Sequence, residues 1–409
     1  MTRQGLAILV AASAFSAILA AQQAPPATGG RQGGRGQGAS QAPGGRGIAF
    51  PGGQMNEDGS LRPAGANTGL FSQDAYTQYE LLAPGSESFR ITFLPEARPG
   101  ATEITNATRS GSEGGDIEVY DPRTGEPLKF TYETQANGDH MIRAPLPMKV
   151  PEGGIGRVLI YKTYKDERTC MMNGEQIVWV RSLSGYRLGV VLPKGYALTS
   201  SNIAAQVSTT ADGRLKLAFA SPNAQANNLT VRANKTSAVF TPSPYTDMFF
   251  DDIKTLYDLG DPATGTFAVE QTYSDYRKGA TASIDAMSYL ALKDLKVIDL
   301  DTAKPLVTKT VGKTTTAALE VPIRNDKQSA HLRVTGTVND GSYKLVNGEL
   351  VITRVMRGLR NTVLLPPGYE VSSSSQAGTI GRTNQGRAFV ALINLNGENS
   401  YNVTIRARK

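Results

Sequence analysis

From Tyr79 onward the apolar positions come in short runs that alternate with polar ones. Val158-Leu-Ile-Tyr161, Ile177-Val-Trp-Val180, Gly189-Val-Val-Leu192 and Leu215-Lys-Leu-Ala-Phe219 are rich in β-branched and aromatic residues. Such residues suit a pleated, half-buried surface. Turn residues separate the runs at roughly 8 to 15 positions, the rhythm of a chain of strands. Ala136-Asn-Gly-Asp139 and Val338-Asn-Asp-Gly341 carry hairpin dipeptides in which glycine supplies the positive φ a tight turn needs. The pattern predicts an all-β chain built as antiparallel sandwich-like modules. One segment departs from it. In Thr246–Tyr257, Phe249, Ile253 and Leu256 or Tyr257 fall on one helical face, with Asp247 near the start. That spacing predicts one short linking helix.

The pattern also repeats. Asn173-Gly-Glu-Gln-Ile-Val-Trp-Val180 and Leu192-Pro-Lys-Gly-Tyr196 recur as Asn347-Gly-Glu-Leu-Val-Ile-Thr-Arg354 and Leu365-Pro-Pro-Gly-Tyr369. Phe89 matches Phe267, Ile117-Glu-Val-Tyr-Asp121 matches Leu295-Lys-Val-Ile-Asp299, and Leu229-Thr-Val-Arg-Ala233 matches Val403-Thr-Ile-Arg-Ala407. The offset stays near roughly 173 to 179 positions, as a duplication with small loop changes requires. The expected organisation is a signal peptide over 1–21, a disordered Gly/Gln/Arg/Pro-rich linker over 22–70, a first β-module over 71–240, and the helix with a second module over 241–409.

Composition refines this picture in three places. Met1-Thr-Arg3 precedes the apolar run Leu6–Ala20, which ends in small residues. That is the form of a secretory signal, and it predicts a bacterial protein exported to the periplasm or the cell exterior. No later run is long enough to span a membrane as a helix. Cys170 is the only cysteine, so each module must stand without an internal disulfide. The net charge of +7 owes much to arginines ahead of Pro51. It is no argument for a nucleic-acid partner.

Catalytic constellations are sparse. The two histidines, His140 and His331, fall in opposite modules without metal-ligand spacing, so no metal site and no cofactor are expected. Ser110-Gly-Ser-Glu-Gly114 lacks the first glycine of a nucleophile elbow. Asp251, Asp252, Asp258 and Asp261 cluster near the linking helix, and a solvated acidic face accounts for them. A carboxylate-dependent hydrolase acting on glycans stays open as an alternative, because it needs only two acids.

The mismatches between the copies point to the first. Arg109-Ser-Gly-Ser-Glu-Gly-Gly-Asp116 faces a more apolar counterpart, Trp179 aligns with Thr353, and Tyr186 aligns with Leu359. The expected ligand-binding set is Arg109, Glu113, Asp116, Tyr161, Tyr164, Arg168, Trp179 and Tyr186, with no catalytic residues. An aromatic face flanked by arginine and glutamate suits a glycan, a peptide or an envelope protein. Strand alternation would send Tyr161 and Tyr164 to opposite sides unless a bulge intervenes.

Overall fold

A computed structural model describes residues 54–55, 61–62, 75–108, 112–183, 186–220, 227–243, 252–283, 292–394 and 400–409. The expected signal peptide, most of the expected linker and most of the expected helix lie outside these residues. The described residues are all-β, without a helix long and apolar enough to cross a membrane. Residues 254–257, expected at the end of the linking helix, belong instead to the strand Lys254–Leu259. Its burial alternates with period two, so Tyr257 and Leu259 enter the core while Asp258 stays outside. Ile253 and Tyr257 fit both a helical face and a strand face, Leu256 takes the strand's other face, and the strand won through its partners on both sides.

In the N-terminal half, one large sheet runs Gln206–Thr209, Leu215–Ala220, Arg187–Val191, Ala75–Leu81, Ser88–Ala97, Leu159–Lys165, Glu113–Tyr120. In the C-terminal half, another runs Gly378–Arg382, Ala388–Ile393, Arg360–Leu364, Lys254–Leu259, Phe267–Asp275, Ala330–Val338, Lys293–Asp299. The sheets are not wholly antiparallel. Arg187–Val191 pairs parallel to Ala75–Leu81, and Arg360–Leu364 parallel to Lys254–Leu259. Each half also has a four-stranded sheet. The order is Cys170–Asn173, Gln176–Leu183, Asn227–Lys235, Tyr196–Ser201 in one, and Tyr343–Val346, Glu349–Arg357, Ser400–Arg408, Glu370–Ser374 in the other. The apolar faces of large and small sheets meet in a core: Tyr79, Phe89, Ile91, Trp179 and Val231 on one side of the molecule, Tyr257, Phe267, Val269, Ile352 and Ile405 on the other. The N-terminal half adds a three-stranded sheet, Glu103–Thr108, His140–Pro145 and Thr131–Thr134, over its own cluster around Ile142 and Ile160.

Two local details correct the alignment read from the sequence. Asn173 pairs with Gln176 around a Gly174–Glu175 turn, whereas Val346 pairs with Glu349 around Asn347–Gly348. The shared Asn-Gly-Glu letters therefore sit one residue apart in their turns. A one-residue slip moves every following side chain to the other face. Trp179 lies opposite Val231 and Ile352 opposite Ile405, so Trp179 corresponds to Ile352 rather than Thr353, and Arg181 to Arg354. The second detail is a bulge. Between Tyr161 and Thr163 the partner strand holds an extra residue, and Asp116 there has φ 48°. Asp294 repeats this at φ 52°, within the register shift between Lys293 and Lys296.

Glycine is required most strictly at Gly358, with φ 76° and Ile253 side-chain carbons 2.4 and 2.6 Å from a built Cβ. Gly341 has a similar φ, 78°, but open space around it. Gly358→Ala is expected to lower the unfolding free energy by about 3 kcal/mol, through left-handed strain plus overpacking, and Gly341→Ala by about 1 kcal/mol. Equal losses in denaturant titrations would remove the packing part of this account.

Pro43–Lys409 form one compact unit. Across its seam, the faces of the large sheets turned away from their own small sheets carry complementary charges. Arg157 Nε and Nη2 donate to Asp301 Oδ1 and Oδ2 at 2.9 and 2.7 Å, and Nη1 donates to Ser329 Oγ at 3.0 Å. Glu96 lies 3.6 Å from His331 and Arg187 3.5 Å from Asp252, all four buried. Tyr186 packs with Leu364, Phe389 and Ala391. Burial works against charge on Arg157, and Asp301 outweighs it, holding the guanidinium above its ordinary pKa. Burial also pushes the Asp301 carboxyl up against the pull of Arg157. The fork-to-fork geometry decides for the ionised pair.

Candidate functional site

The central strand Leu159–Lys165 sends Ile160, Lys162 and Tyr164 inward. Ile160 joins the cluster under the three-stranded sheet, and Tyr164 joins the main core. Lys162 falls between the two, 3% exposed. Its Nζ donates to Tyr164 Oη at 3.0 Å and to Asn106 Oδ1. Arg181 comes from the facing small sheet. Its guanidinium carbon lies 5.1, 5.2 and 5.7 Å from the ring centres of Tyr79, Phe89 and Tyr164. Rings give a cation a favourable face without supplying a counter-charge. Neither Lys162 nor Arg181 meets a carboxylate among the described residues. Burial first, and the repulsion of Arg181 second, lower Lys162 to about 7. Burial also pushes the Tyr164 hydroxyl above its ordinary value. The indole Nε1 of Trp179 and Nη1 of Arg181 are buried donors without an acceptor among the described residues. Such groups are expensive to leave unmatched.

The outer side of this cluster reaches solvent through Tyr132, 37% exposed and stacked on His140 at 5.1 Å. A Cβ on Gly114 would stand 2.7 Å from the Tyr132 hydroxyl. Glycine there lets the three-stranded sheet close over the Glu113–Tyr120 strand.

The C-terminal half treats the same position differently. Arg354 corresponds to Arg181 and lies 5.1 Å from the ring of Phe267, as Arg181 does from Phe89. But Arg354 Nη1 donates to Asp340 Oδ2 at 2.7 Å and Ser342 Oγ at 2.6 Å. Its charge is met within the chain. Gly336 stands where the other half has Lys162, and a Cβ there would lie 2.8 Å from the carbonyl oxygen of Lys293. The N-terminal counterpart of the Asp340 loop carries Asp166, which accepts from Ser112 at 3.0 Å and from Arg168 Nε at 3.1 Å. Burial pushes that carboxyl up, but Arg168, Ser112 and Thr169 together hold it below the usual range. One half thus pairs its buried arginine; in the other, buried Lys162 and half-buried Arg181 meet no acid among the described residues.

The expected binding residues scatter around this cluster. Tyr164 is part of it, and Trp179 adjoins it with its ring 5.1 Å from Tyr79. Trp179 is 0% and Tyr164 1% exposed, so neither offers an open aromatic face; inward strand positions put both in the core. Tyr161 points to the other side of the sheet, against Tyr120 and Lys327. The bulge lies in the neighbouring strand, so it does not bring the two tyrosines together. Tyr186 is buried in the seam. Asp116 is the bulge residue, matched by Asp294, and serves the sheet. Arg168 orients Asp166, just past the end of the Leu159–Lys165 strand. Arg109 and the side chain of Glu113 lie outside the described residues.

The acidic group near the expected helix also separates. Asp252 faces Arg187, and Asp258 accepts from Arg387 at the edge of a cleft of about 460 Å³. Asp261 caps the amide of Ala263, and Asp251 lies outside the described residues. The Cys170 thiol is half-buried and pushed up to about 11 by burial and by Glu87. Lys162, Asn106 and Arg181 were not in the expected set. Lys162 and Arg181 each sit at an inward position of an alternating strand, and that was the available signal.

No family model and no curated protein matches this chain. Among solved structures, it is similar to an aminopeptidase N family protein from Idiomarina loihiensis at 12% identity and a TM-score of 0.26, over 38% of this chain and 29% of that one. It is similar to a candidate protease from Parabacteroides distasonis at 9% identity and a TM-score of 0.24, over 82% and 92%. The chain thus spans less than a third of the first of these. Neither similarity says anything about what this chain binds or does.

Proposed function

We propose that this is an exported tandem β-module protein that works as a binding protein, its N-terminal copy holding the ligand and its C-terminal copy serving as a rigid support. Its place is the periplasm or the exterior of a bacterial cell, as the run from Leu6 to Ala20 suggests. Its partner is a glycan, a peptide or an envelope protein. One contrast carries the reading: Arg354 is neutralised by Asp340, while Arg181 and Lys162 have no acid among the described residues. A position that only support requires would be satisfied in both copies. The buried Arg157–Asp301 and Arg187–Asp252 pairs across the seam are consistent with the C-terminal copy acting as a support.

Trp179 is the only tryptophan and lies two residues from Arg181, so its emission reports on the site. Titration of the full mature chain with cell-wall fragments and a polysaccharide panel is expected to give a saturable shift. Silence across the panel, together with no retained partner from host envelope, would leave only a spacer role.

A further inference from the structure

We infer that the Lys162–Arg181 cluster is a binding site for the carboxylate of an external ligand, taking the place that Asp340 fills in the C-terminal half. The inference rests on the reading that the N-terminal copy is the binding one, and it names the ligand's chemistry. Three observations converge on it.

The first is the internal precedent. Two corresponding arginines lie over corresponding phenylalanines at 5.2 and 5.1 Å. One holds a carboxylate at 2.7 Å. The fold at this position is therefore able to seat a carboxylate against the guanidinium.

The second is the donor excess. Lys162 Nζ and the Arg181 guanidinium lie over the aromatic group of Tyr79, Phe89 and Tyr164, and the Trp179 ring packs on Tyr79; Arg181 Nη1 and Trp179 Nε1 add buried donors. Two of these donors have no acceptor among the described residues. A carboxylate has two oxygens and about four lone-pair sites, and is an acceptor only. It fits a group that is short of acceptors and of negative charge.

The third is the exposed surface nearest the cluster. Tyr132, packed against Gly114 and acting on Tyr164, is 37% exposed and stacks on His140. A sugar or side chain bearing the acid could lie on that stack while its carboxylate reaches inward. Flat apolar rings next to a charged recess suit an acidic sugar.

Binding should follow the charge of the site. Arg181, Tyr164, Tyr132 and Tyr79 are the titratable groups facing Lys162 or its tyrosine partner. Lys162 is lowered to about 7, and His140, stacked on Tyr132, is the further titratable group on the exposed side. Below that pH the site carries two positive charges, and above it one. Carboxylate affinity should rise as pH falls from 8 to 6, by up to about tenfold per unit where binding requires the protonated amine.

The test uses the full mature chain with sodium glucuronate and sodium acetate as probes, and glucose, sulfate and phosphate as controls. Trp179 emission and the thermal midpoint are both read. Glucuronate is expected to bind more tightly at pH 6 than at pH 8. Lys162→Met and Arg181→Met should each weaken it at least tenfold, and Arg354→Met should leave it unchanged. Thermal unfolding of each variant establishes that it has folded. Lys162→Gln serves as a second variant that keeps polarity at the site without the charge. Acetate binding without a preference for glucuronate would support the carboxylate and remove the sugar. Equal binding of glucose, or glucuronate binding that survives Lys162→Met and Arg181→Met, would overturn the site while leaving a glycan-binding function intact. If Glu113→Gln abolishes the pH response of the unliganded chain, the loop supplies its own acid and the inference fails. Sulfate or phosphate binding in preference to both carboxylates would also overturn it.

Discussion

Replacing Arg157 by leucine is expected to lower the unfolding free energy by about 3 to 5 kcal/mol at neutral pH. Arg157 is 4% exposed and makes a two-point contact with Asp301, with further donations to Ser329 Oγ and the Ser329 carbonyl. Leucine fills part of the volume but leaves Asp301 buried without its counter-charge. The loss comes from that stranded carboxylate more than from the missing attraction. It should therefore shrink as pH falls, because Asp301 is already pushed up by burial and takes a proton more readily once Arg157 is gone. Arg157→Leu with Asp301→Leu should recover most of the loss, since a well-packed apolar pair often replaces a buried ion pair without penalty. Guanidinium titrations of the single and double variants decide the matter. A single-variant loss below about 1 kcal/mol would mean that the seam opens to water at this point.

The second large effect belongs to Lys162. In the folded chain its amine loses its proton at about 7, against a reference of 10.5. Between those values the unfolded chain holds one more proton than the folded one. Stability therefore rises with pH across this window, by about 1.4 kcal/mol per unit and about 5 kcal/mol over its full width. Below about 7 both states are charged and this group adds no slope. Lys162→Met should remove the slope. Its absolute stability is less simple, because Asn106 and Tyr164 lose a donor worth about 1 kcal/mol each. The comparison is therefore the slope between pH 7 and 10, from urea titrations at matched ionic strength. Parallel profiles for the two proteins would mean that Lys162 stays charged in the fold and that a counter-charge reaches it. Saturating glucuronate should move the lower edge of the window upward, linking this measurement to the inferred site.

How much of this was legible in the sequence depends on the length of chain each feature involves. The short β-branched runs and the Asn-Gly and Asp-Gly turns pointed to an all-β chain, since strand period and turn chemistry are local. The second half of Thr246–Tyr257 is ambiguous in the sequence because Ile253 and Tyr257 satisfy both periods. Only pairing with Phe267–Asp275 and Arg360–Leu364 selects one. The alignment of Trp179 with Thr353 failed on a smaller scale. Identical letters in a turn do not set its register, and one residue of slip exchanges core for surface.

The candidate site was legible only as a region. Differences between the two similar halves point to the first; Tyr164 belongs to the Lys162–Arg181 cluster and Trp179 adjoins it through Tyr79. Tyr161, Tyr186 and Asp116 do not. They serve the outer sheet face, the seam and a bulge, and no local pattern separates those uses.

By itself the sequence determined the strand-forming character of the chain, its turn chemistry, its lone cysteine and the order in which similar motifs recur. Tertiary structure alone decided which charges meet. Arg157 and Asp301 are 144 residues apart, and Arg354 meets the loop carboxylate of Asp340 where Arg181 meets rings alone among the described residues. The physical reason is that a strand's period fixes which side a residue faces, while its electrostatic partner comes from whichever distant segment folds against that side.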